Sequence, residues 1–187
     1  MIELRTPLSE KTVRGLKAGD VVYLTGEVVT GRDAVHVRAL DHARSGRPVP
    51  DAVRNSVIYH CGPIIVETGR GKKVIAAGPT TSARMDPMES EMISSFGIRA
   101  VIGKGGMSKE VGETMRDKGC VFLAAVGGTA VSLAETVEEV LGVEWEDLGM
   151  AEAMWRFRVQ RMGPLIVAMD AEGNSLYDDV RKRIKLI

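Results

Sequence analysis

Cys120-Val121-Phe122-Leu123-Ala124-Ala125-Val126, closed by Gly127-Gly128-Thr129, is the stretch on which the fold turns. Its seven apolar residues carry no polar interruption, so they do not alternate as a half-exposed strand would. They read as a strand covered on both faces. Just upstream, Ser108 caps a predicted helix with Val111 and Met115 on one face, and Gly119 sits past its end. Ala100-Val101-Ile102-Gly103 is a second short buried strand, preceded by a helix over roughly 87–97. Downstream, Gly127-Gly128-Thr129 leads into a predicted helix with Leu133, Val137 and Leu141 along one side. Strand and helix therefore alternate through this half of the chain.

The first half has another texture. Residues 7–19 read as a helix capped by Ser9, and 21–29 as a β-branched strand. A helix opens at Asp33, with Ala34, Val37 and Leu40 at helical spacing, and 44–50 is a loop. Strands are expected at 56–61, 64–67 and 73–77, joined by the tight turns Gly62-Pro63 and 68–72, an antiparallel pattern. The tail predicts two strands, near 154–159 and 165–168, then a turn at Gly173-Asn174 and a final helix ending in Arg181-Lys182-Arg183 and Lys185. With no repeat, linker or low-complexity stretch, residues 1–187 read as one three-layer α/β domain.

Composition excludes several classes. Lys plus Arg and Asp plus Glu number 25 each, with no basic block, so a nucleic-acid surface is not expected. Aromatics are 4% of residues, too few for a base-stacking platform. No apolar run approaches the ~18 residues of a membrane span. The N-terminal residues lack a signal-peptide core, and two cysteines make no disulfide scaffold, which together predict a cytoplasmic protein.

Three Gly-rich segments follow apolar strands and precede helical patterns: Gly78-Pro79-Thr80-Thr81, Gly103-Lys104-Gly105-Gly106 and Gly127-Gly128-Thr129. In open α/β sheets ligands bind at such carboxyl ends of strands, and helix starts favour anions. Lys104 lies in one junction and Arg84 one turn into another. Thr80 and Arg84 are four apart, so they share a face if a helix begins there. A hydroxyl and a guanidinium together suit a carboxylate, which Arg grips with two parallel hydrogen bonds. Spacing alone reaches a small anionic ligand and stops there. The sequence has no Walker P-loop and no complete G-x-G-x-x-G or G-x-S-x-G. His36, His42 and His60 do not have metal-ligand spacing, so no intrinsic metal site is expected, and Cys61 reads as a small buried hydrophobe.

The chain resembles the β subunit of iron–sulfur class I fumarate hydratases and tartrate dehydratases, a unit that forms the C-terminal domain of one-chain members. The segments that carry the likeness run in order along nearly the whole chain. They are Thr30-Gly31-Arg32-Asp33-Ala34-Val35-His36, His60-Cys61-Gly62-Pro63, Ala77-Gly78-Pro79-Thr80-Thr81-Ser82-Ala83-Arg84-Met85-Asp86, Ile102-Gly103-Lys104-Gly105-Gly106-Met107, Gly127-Gly128-Thr129-Ala130 and Asp170-Ala171-Glu172-Gly173-Asn174-Ser175-Leu176-Tyr177. The long Gly78–Asp86 run is the specific one.

The resemblance implies a swivelling β/β/α fold and reversible dehydration of a 2-hydroxy dicarboxylate such as malate, with tartrate as the alternative. It implies a 4Fe–4S cluster held by a partner α subunit and none bound by this chain, in an α2β2 hetero-oligomer. It also implies Arg32, Arg84 and Lys104 as substrate-carboxylate cations and Thr80, four residues before Arg84, as part of the catalytic base. His60 receives no role. An unassisted alcohol is too weak a base near pH 7, so either nearby cations favour its alkoxide or Thr80 only hydrogen-bonds substrate while the partner moves the proton. A dicarboxylate-binding scaffold without catalysis also fits the residues. In the isolated chain Arg84 and Lys104 are expected to face solvent, and Met85, Met88, Met92 and Met107 to serve the core or an interface.

Overall fold

A computed structural model describes residues 1–69 and 71–184; Arg70 of the expected 68–72 turn and Lys185 of the basic tail lie outside the described residues. The fold is mixed α/β. Strands β1 (Ile2–Arg5) and β2 (Val21–Thr30) flank the short helix α1 (Glu10–Arg14), and α2 (Asp33–Arg44) follows. Next come β3 (Val57–Tyr59), β4 (Ile64–Thr68), β5 (Gly71–Ala76), α3 (Asp86–Phe96), β6 (Ala100–Gly103), α4 (Lys109–Lys118) and β7 (Val121–Ala124). The chain ends with α5 (Ala130–Glu135), β8 (Val137–Glu144), β9 (Met154–Met169) and α6 (Leu176–Ile184).

Strands β3, β6 and β7 are parallel, and their register sets three rows across the sheet: Val57–Ala100–Val121, Ile58–Val101–Phe122 and Tyr59–Ile102–Leu123. Side chains alternate along a strand, so the first and third rows face one way and the middle row the other. The outer rows enter a core with Leu24 and Val28 of β2 and Phe157, Val159 and Leu165 of β9. The middle row enters a second core with Val35 and Leu40 of α2, Met92 and Ile93 of α3, and Val111 and Met115 of α4. This two-sided burial is why the run is apolar from Cys120 through Ala125; the strand itself is shorter than expected, and Val126, beyond its end, is exposed. The result is three layers: helices, the parallel strands, and a further β layer.

That further layer rests on β9. It pairs antiparallel with β7 at its end (Leu123↔Val167), with β2 along its body (Val28↔Phe157) and with β8 on its other flank (Val143↔Trp155). Because β2 also pairs with β3, the ladder runs in a closed circuit around the first core. The β4–β5 hairpin is a sheet of its own.

Four local expectations are corrected. The 7–19 helix shrinks to α1; Ser9 caps it by accepting from Thr12 N–H at 3.0 Å, and Leu8 and Leu16 are buried to either side. The antiparallel pattern of the first half is confined to β4–β5, since β1–β2 and β2–β3 are parallel. The helix expected through Leu133, Val137 and Leu141 ends at Glu135, and 137–144 is strand β8. The open flank of β9 supplies backbone partners that outweigh a four-residue apolar spacing. The two tail strands are one strand of 16 residues. Gly163 lets it pass close to β2: at its φ of 153° a Cβ would sit 2.9 Å from the Val22 carbonyl oxygen. Met85, Met92 and Met107 are buried in the second core, with Met88 packed against it. Among the described residues no helix is long and apolar enough to cross a membrane.

Asp170 pins the end of β9. Its buried carboxylate accepts from the N–H groups of Ala18 (3.0 Å), Glu172 (3.0 Å) and Asn174 (2.9 Å) and from Asn174 Nδ2 (2.9 Å). Burial pulls its pKa upward, but these donors outweigh it and the net shift is downward. A carboxylate whose folded pKa is depressed contributes stability above its unfolded pKa and loses it as pH falls through the folded one. Asp170→Asn is therefore expected to cost about 1.5–3 kcal/mol at neutral pH, with the gap from wild type closing in acid. Urea unfolding at several pH values checks this; a gap that is constant with pH refutes it.

Candidate active site

The candidate residues gather where β3, β5 and β6 end. His60 follows β3, and its carbonyl accepts from Thr80 N–H at 2.6 Å. Lys104 follows β6 and donates its N–H to the Thr80 carbonyl at 3.3 Å, while Ser82 N–H bonds the Lys104 carbonyl at 3.0 Å. Bridges Cys61↔Pro79 and Thr81↔Lys104 complete the seam. The third Gly-rich junction adjoins the first. Ala77 N–H bonds the Ala130 carbonyl at 2.8 Å, and a Cβ on Gly78 would lie 3.1 Å from the Ala130 methyl. All three junctions expected to bind an anion thus lie side by side.

The shared helix face does not form. Ser82–Arg84 is a single 3-10 turn and α3 begins only at Asp86, with Pro87 in its first turn. Thr81 is extended (φ −65°, ψ 113°) because its backbone bridges Lys104. Thr80 and Arg84 are neighbours through the loop rather than through helical stacking.

Each arginine holds a carboxylate of its own chain. Arg84 is bound by both edges to Asp33: Nε to Oδ1 at 3.2 Å, and Nη2 to Oδ2. The guanidinium beside it lowers the Asp33 pKa. Arg32 Nη2 lies 3.1 Å from Glu152 Oε1, and Glu152 Oε2 accepts from Ala34 N–H at 3.1 Å. Arg32 Nε is buried with no partner among the described residues. Gly62 makes room for this guanidinium, since a Cβ there would lie 2.4 Å from Arg32 Nη1. Arg84 is exposed, as expected; Lys104 is half-buried, because its backbone is bracketed between Thr80 and Ser82. Among the described residues the Lys104 ammonium and the Thr80 hydroxyl have no protein partner. Of the three candidate cations, Arg32 and Arg84 are thus each paired with a carboxylate, and Lys104 has no such partner among the described residues.

A buried polar chain beneath the patch escaped the sequence reading. His36 Nε2 lies 3.0 Å and His60 Nε2 3.1 Å from the same Glu89 oxygen, and all three side chains are fully buried. His60 Nδ1 meets Ser82 Oγ at 2.9 Å, and His36 Nδ1 meets the Arg32 carbonyl at 2.8 Å. A signal existed for Glu89 and His36. Each sits on the apolar stripe of its helix, Glu89 with Met85, Met92 and Ile93 and His36 with Val35, Ala39 and Leu40. An ionisable group on such a stripe needs a buried partner. Glu152 gave no local signal. Cys61 is buried, and burial pushes its thiol up to about 12, as suits a packed side chain rather than a nucleophile.

An α/β fold that presents cations and a free hydroxyl at strand ends has the chemistry to bind an anion. A family model described as "Fumarase C-terminus" matches residues 1–180, and the chain belongs to that family. It is 45% identical over 178 residues to a putative L(+)-tartrate dehydratase subunit beta of Methanocaldococcus jannaschii, covering 95% of this chain and 91% of the relative. It is 38% identical to the L(+)-tartrate dehydratase subunit beta of Escherichia coli, covering 96% and 88%. A putative fumarate hydratase class I of Geobacillus stearothermophilus is 42% identical over 97% of this chain, which spans 34% of that longer protein. The resemblance read from the motifs is upheld.

The seam has one point without slack. A Cβ on Gly103 would lie 1.9 Å from Ser82 Oγ and 3.4 Å from His60 Nδ1. Gly103→Ala is expected to cost about 1–3 kcal/mol through overpacking, read as a lowered urea midpoint. Wild-type stability in this variant would show the Ser82 seat to be loose.

Proposed function

We propose that this chain is the β subunit of a two-subunit iron–sulfur hydro-lyase that reversibly dehydrates malate to fumarate. Arg32, Arg84 and Lys104 bind the dicarboxylate, and Thr80 serves the proton transfer. The observation that carries this reading is the cation patch: a lysine and a threonine hydroxyl without protein partners, beside two arginines, on loops stitched to one another. An arginine has five donors, so each can keep its own carboxylate on one edge and offer another edge to substrate. Lys104 has no such prior claim on it and is the freest cation for a substrate carboxylate.

Dehydration breaks a C–H bond at one carbon and the C–O bond at its neighbour. Both backbone polar groups of Thr80 are hydrogen-bonded, its N–H to the His60 carbonyl and its carbonyl to the Lys104 N–H, so its backbone is held beside that of Lys104. A nearby ammonium favours the alkoxide over the alcohol, which is the condition for Thr80 to accept the C–H proton. The cluster, when bound, supplies a Lewis acid for the departing hydroxyl. Cys61 and Cys120 are buried and burial keeps both as thiols, which does not fit cluster ligation by this chain. The cluster therefore belongs to a partner α subunit in this reading, with an α2β2 assembly in the cytoplasm. That two relatives of similar length are named as beta subunits supports a partner chain. Their names also favour a second substrate, L-tartrate, on the same residues.

The test is co-expression with a cluster-bearing α subunit, anaerobic reconstitution, and assay with malate and with L-tartrate. A fully assembled, cluster-loaded pair that turns over neither substrate overturns the proposal. Thr80→Ala is expected to lower kcat by about 10²–10⁴-fold, with Thr80→Ser retaining part of the rate. Arg84→Ala and Lys104→Ala are each expected to lower kcat/KM by about 10²–10³-fold without loss of assembly. Near-normal rates in all of these variants would remove the site from these residues.

A further inference from the structure

We propose that Ser82, His60, Glu89 and His36 form a buried positioning chain that sets the backbones of Thr80, Lys104 and Arg32 around a doubly protonated His36 paired with Glu89. This deepens the functional reading above and rests on it. The geometry fixes where the protons sit. His36 Nδ1 faces the Arg32 carbonyl and Nε2 faces the Glu89 carboxylate, and both of those groups only accept. With Glu89 ionised, His36 must carry two protons, and the charge of that ring neutralises the carboxylate. Burial opposes a charged His36, yet Glu89 outweighs it and the pKa of His36 is raised.

His60 then stays neutral. Burial, seconded by the positive His36, lowers its pKa against the pull of Glu89. Its Nε2 lies 3.1 Å from Glu89 Oε2 but out of line for a hydrogen bond. The neutral ring with its proton on Nε2 leaves Nδ1 to accept from Ser82 Oγ–H. Three further titratable groups face the chain: Asp33 on α2, held by Arg84; Asp86 on α3, which accepts from Ser108 N–H at 3.1 Å; and the buried Cys120 thiol before β7.

Three of the four members, all but Glu89, also grip a site residue. The His60 carbonyl takes Thr80 N–H, Ser82 N–H takes the Lys104 carbonyl, and the His36 ring holds the Arg32 carbonyl. A shift in the buried charge therefore displaces three loops at once. Gly103 is part of this device, since only a residue without Cβ lets Ser82 reach His60. His36, His60 and Glu89 also carry metal-ligand atoms within 4.8 Å of one another. Their 3.0 and 3.1 Å separations are hydrogen-bond distances, and the proton count above already neutralises Glu89.

Two measurements decide the matter. Nitrogen-15 NMR of the chain alone, from pH 6 to 8.5, with the rings of His36, His42 and His60 assigned by single His→Gln variants, is expected to show His36 protonated on both nitrogens and His60 neutral and protonated on Nε2. A charged His60, a neutral His36, or one equivalent of tightly held metal by elemental analysis overturns the proposal. In the assembled enzyme, Ser82→Ala and Glu89→Gln are each expected to lower kcat by tenfold or more with KM changed far less, the signature of misplaced groups. Met115→Ala, a core variant on α4, is the control: it lowers the melting temperature but keeps kcat per folded enzyme. If Ser82→Ala behaves like Met115→Ala, the chain is structural only and the proposal fails. Should Glu89→Gln not fold, Ser82→Ala and the ring states still decide. An assembled wild-type enzyme inactive on both substrates sinks the functional reading instead, and leaves the ring states to judge the chain.

Discussion

A carboxylate with no access to water has to be neutralised where it stands, and Glu89 is such a carboxylate. Its two imidazole neighbours come from different elements, His36 from α2 and His60 from the end of β3, while Glu89 itself belongs to α3. Burial alone would raise its pKa; the positive His36 beside it outweighs that and holds the carboxyl below the usual carboxylate range. Removing one partner of a buried pair typically costs about 3–5 kcal/mol, whereas an exposed pair contributes about 0–1 kcal/mol. Arg158–Glu139, half exposed on both sides, belongs to the second kind. The relative placement of α2, α3 and β3 is thus held by this one buried group more than by any surface ion pair.

The fold makes that placement possible by separating two cores. Ile58, Val101 and Phe122 face the helices, and Tyr59, Ile102 and Leu123 face the second β layer. His60 comes one residue after Tyr59, so its ring turns to the helical side, where Glu89 and His36 wait. The same register carries Gly103 and its neighbour Lys104 beside His60, through the His60 N–H bond to the Ile102 carbonyl at 2.8 Å. The polar chain and the cation patch are two storeys of one strand-end arrangement: buried groups hold the loops from beneath, and in the proposed function exposed groups on the same loops meet the ligand.

Much of this was legible. The uninterrupted apolar run 120–126 announced a doubly covered strand, and Ser9, Ser108 and Gly119 cap helices as their chemistry predicts. The three Gly-rich junctions do adjoin. What failed were features decided at long range. Strand β8 owes its state to the flank of β9, so the 133–141 spacing misled. Two tail strands were expected, near 154–159 and 165–168, yet one strand runs through Gly163-Pro164 because the glycine's close approach to β2 is tolerated. Thr80 and Arg84 suggested a helix face because Thr81's pairing with Lys104 lies 23 positions away in the chain. Glu89 and His36 were ionisable groups on apolar stripes. That pattern is local, but its partner is not, and only the fold says which histidine answers.

The different treatment of the three cations follows from their chemistry. A guanidinium left unpaired at a half-buried site loses hydration on part of its surface; Arg32 recovers that loss from Glu152, while the exposed Arg84 is forked onto Asp33. The pairing also holds each planar fork in one orientation before any ligand arrives, which reduces the ordering cost of binding. A flexible ammonium gains less from being pre-oriented, because its three donors rotate and its charge acts nearly as a point. Leaving Lys104 unpaired keeps one full positive charge unspent, while pairing the arginines keeps the patch from accumulating three. In the proposed function, the carboxylates of Asp33 and Glu152 aim the arginines rather than compete with an anionic ligand, and the unpaired lysine supplies the attraction.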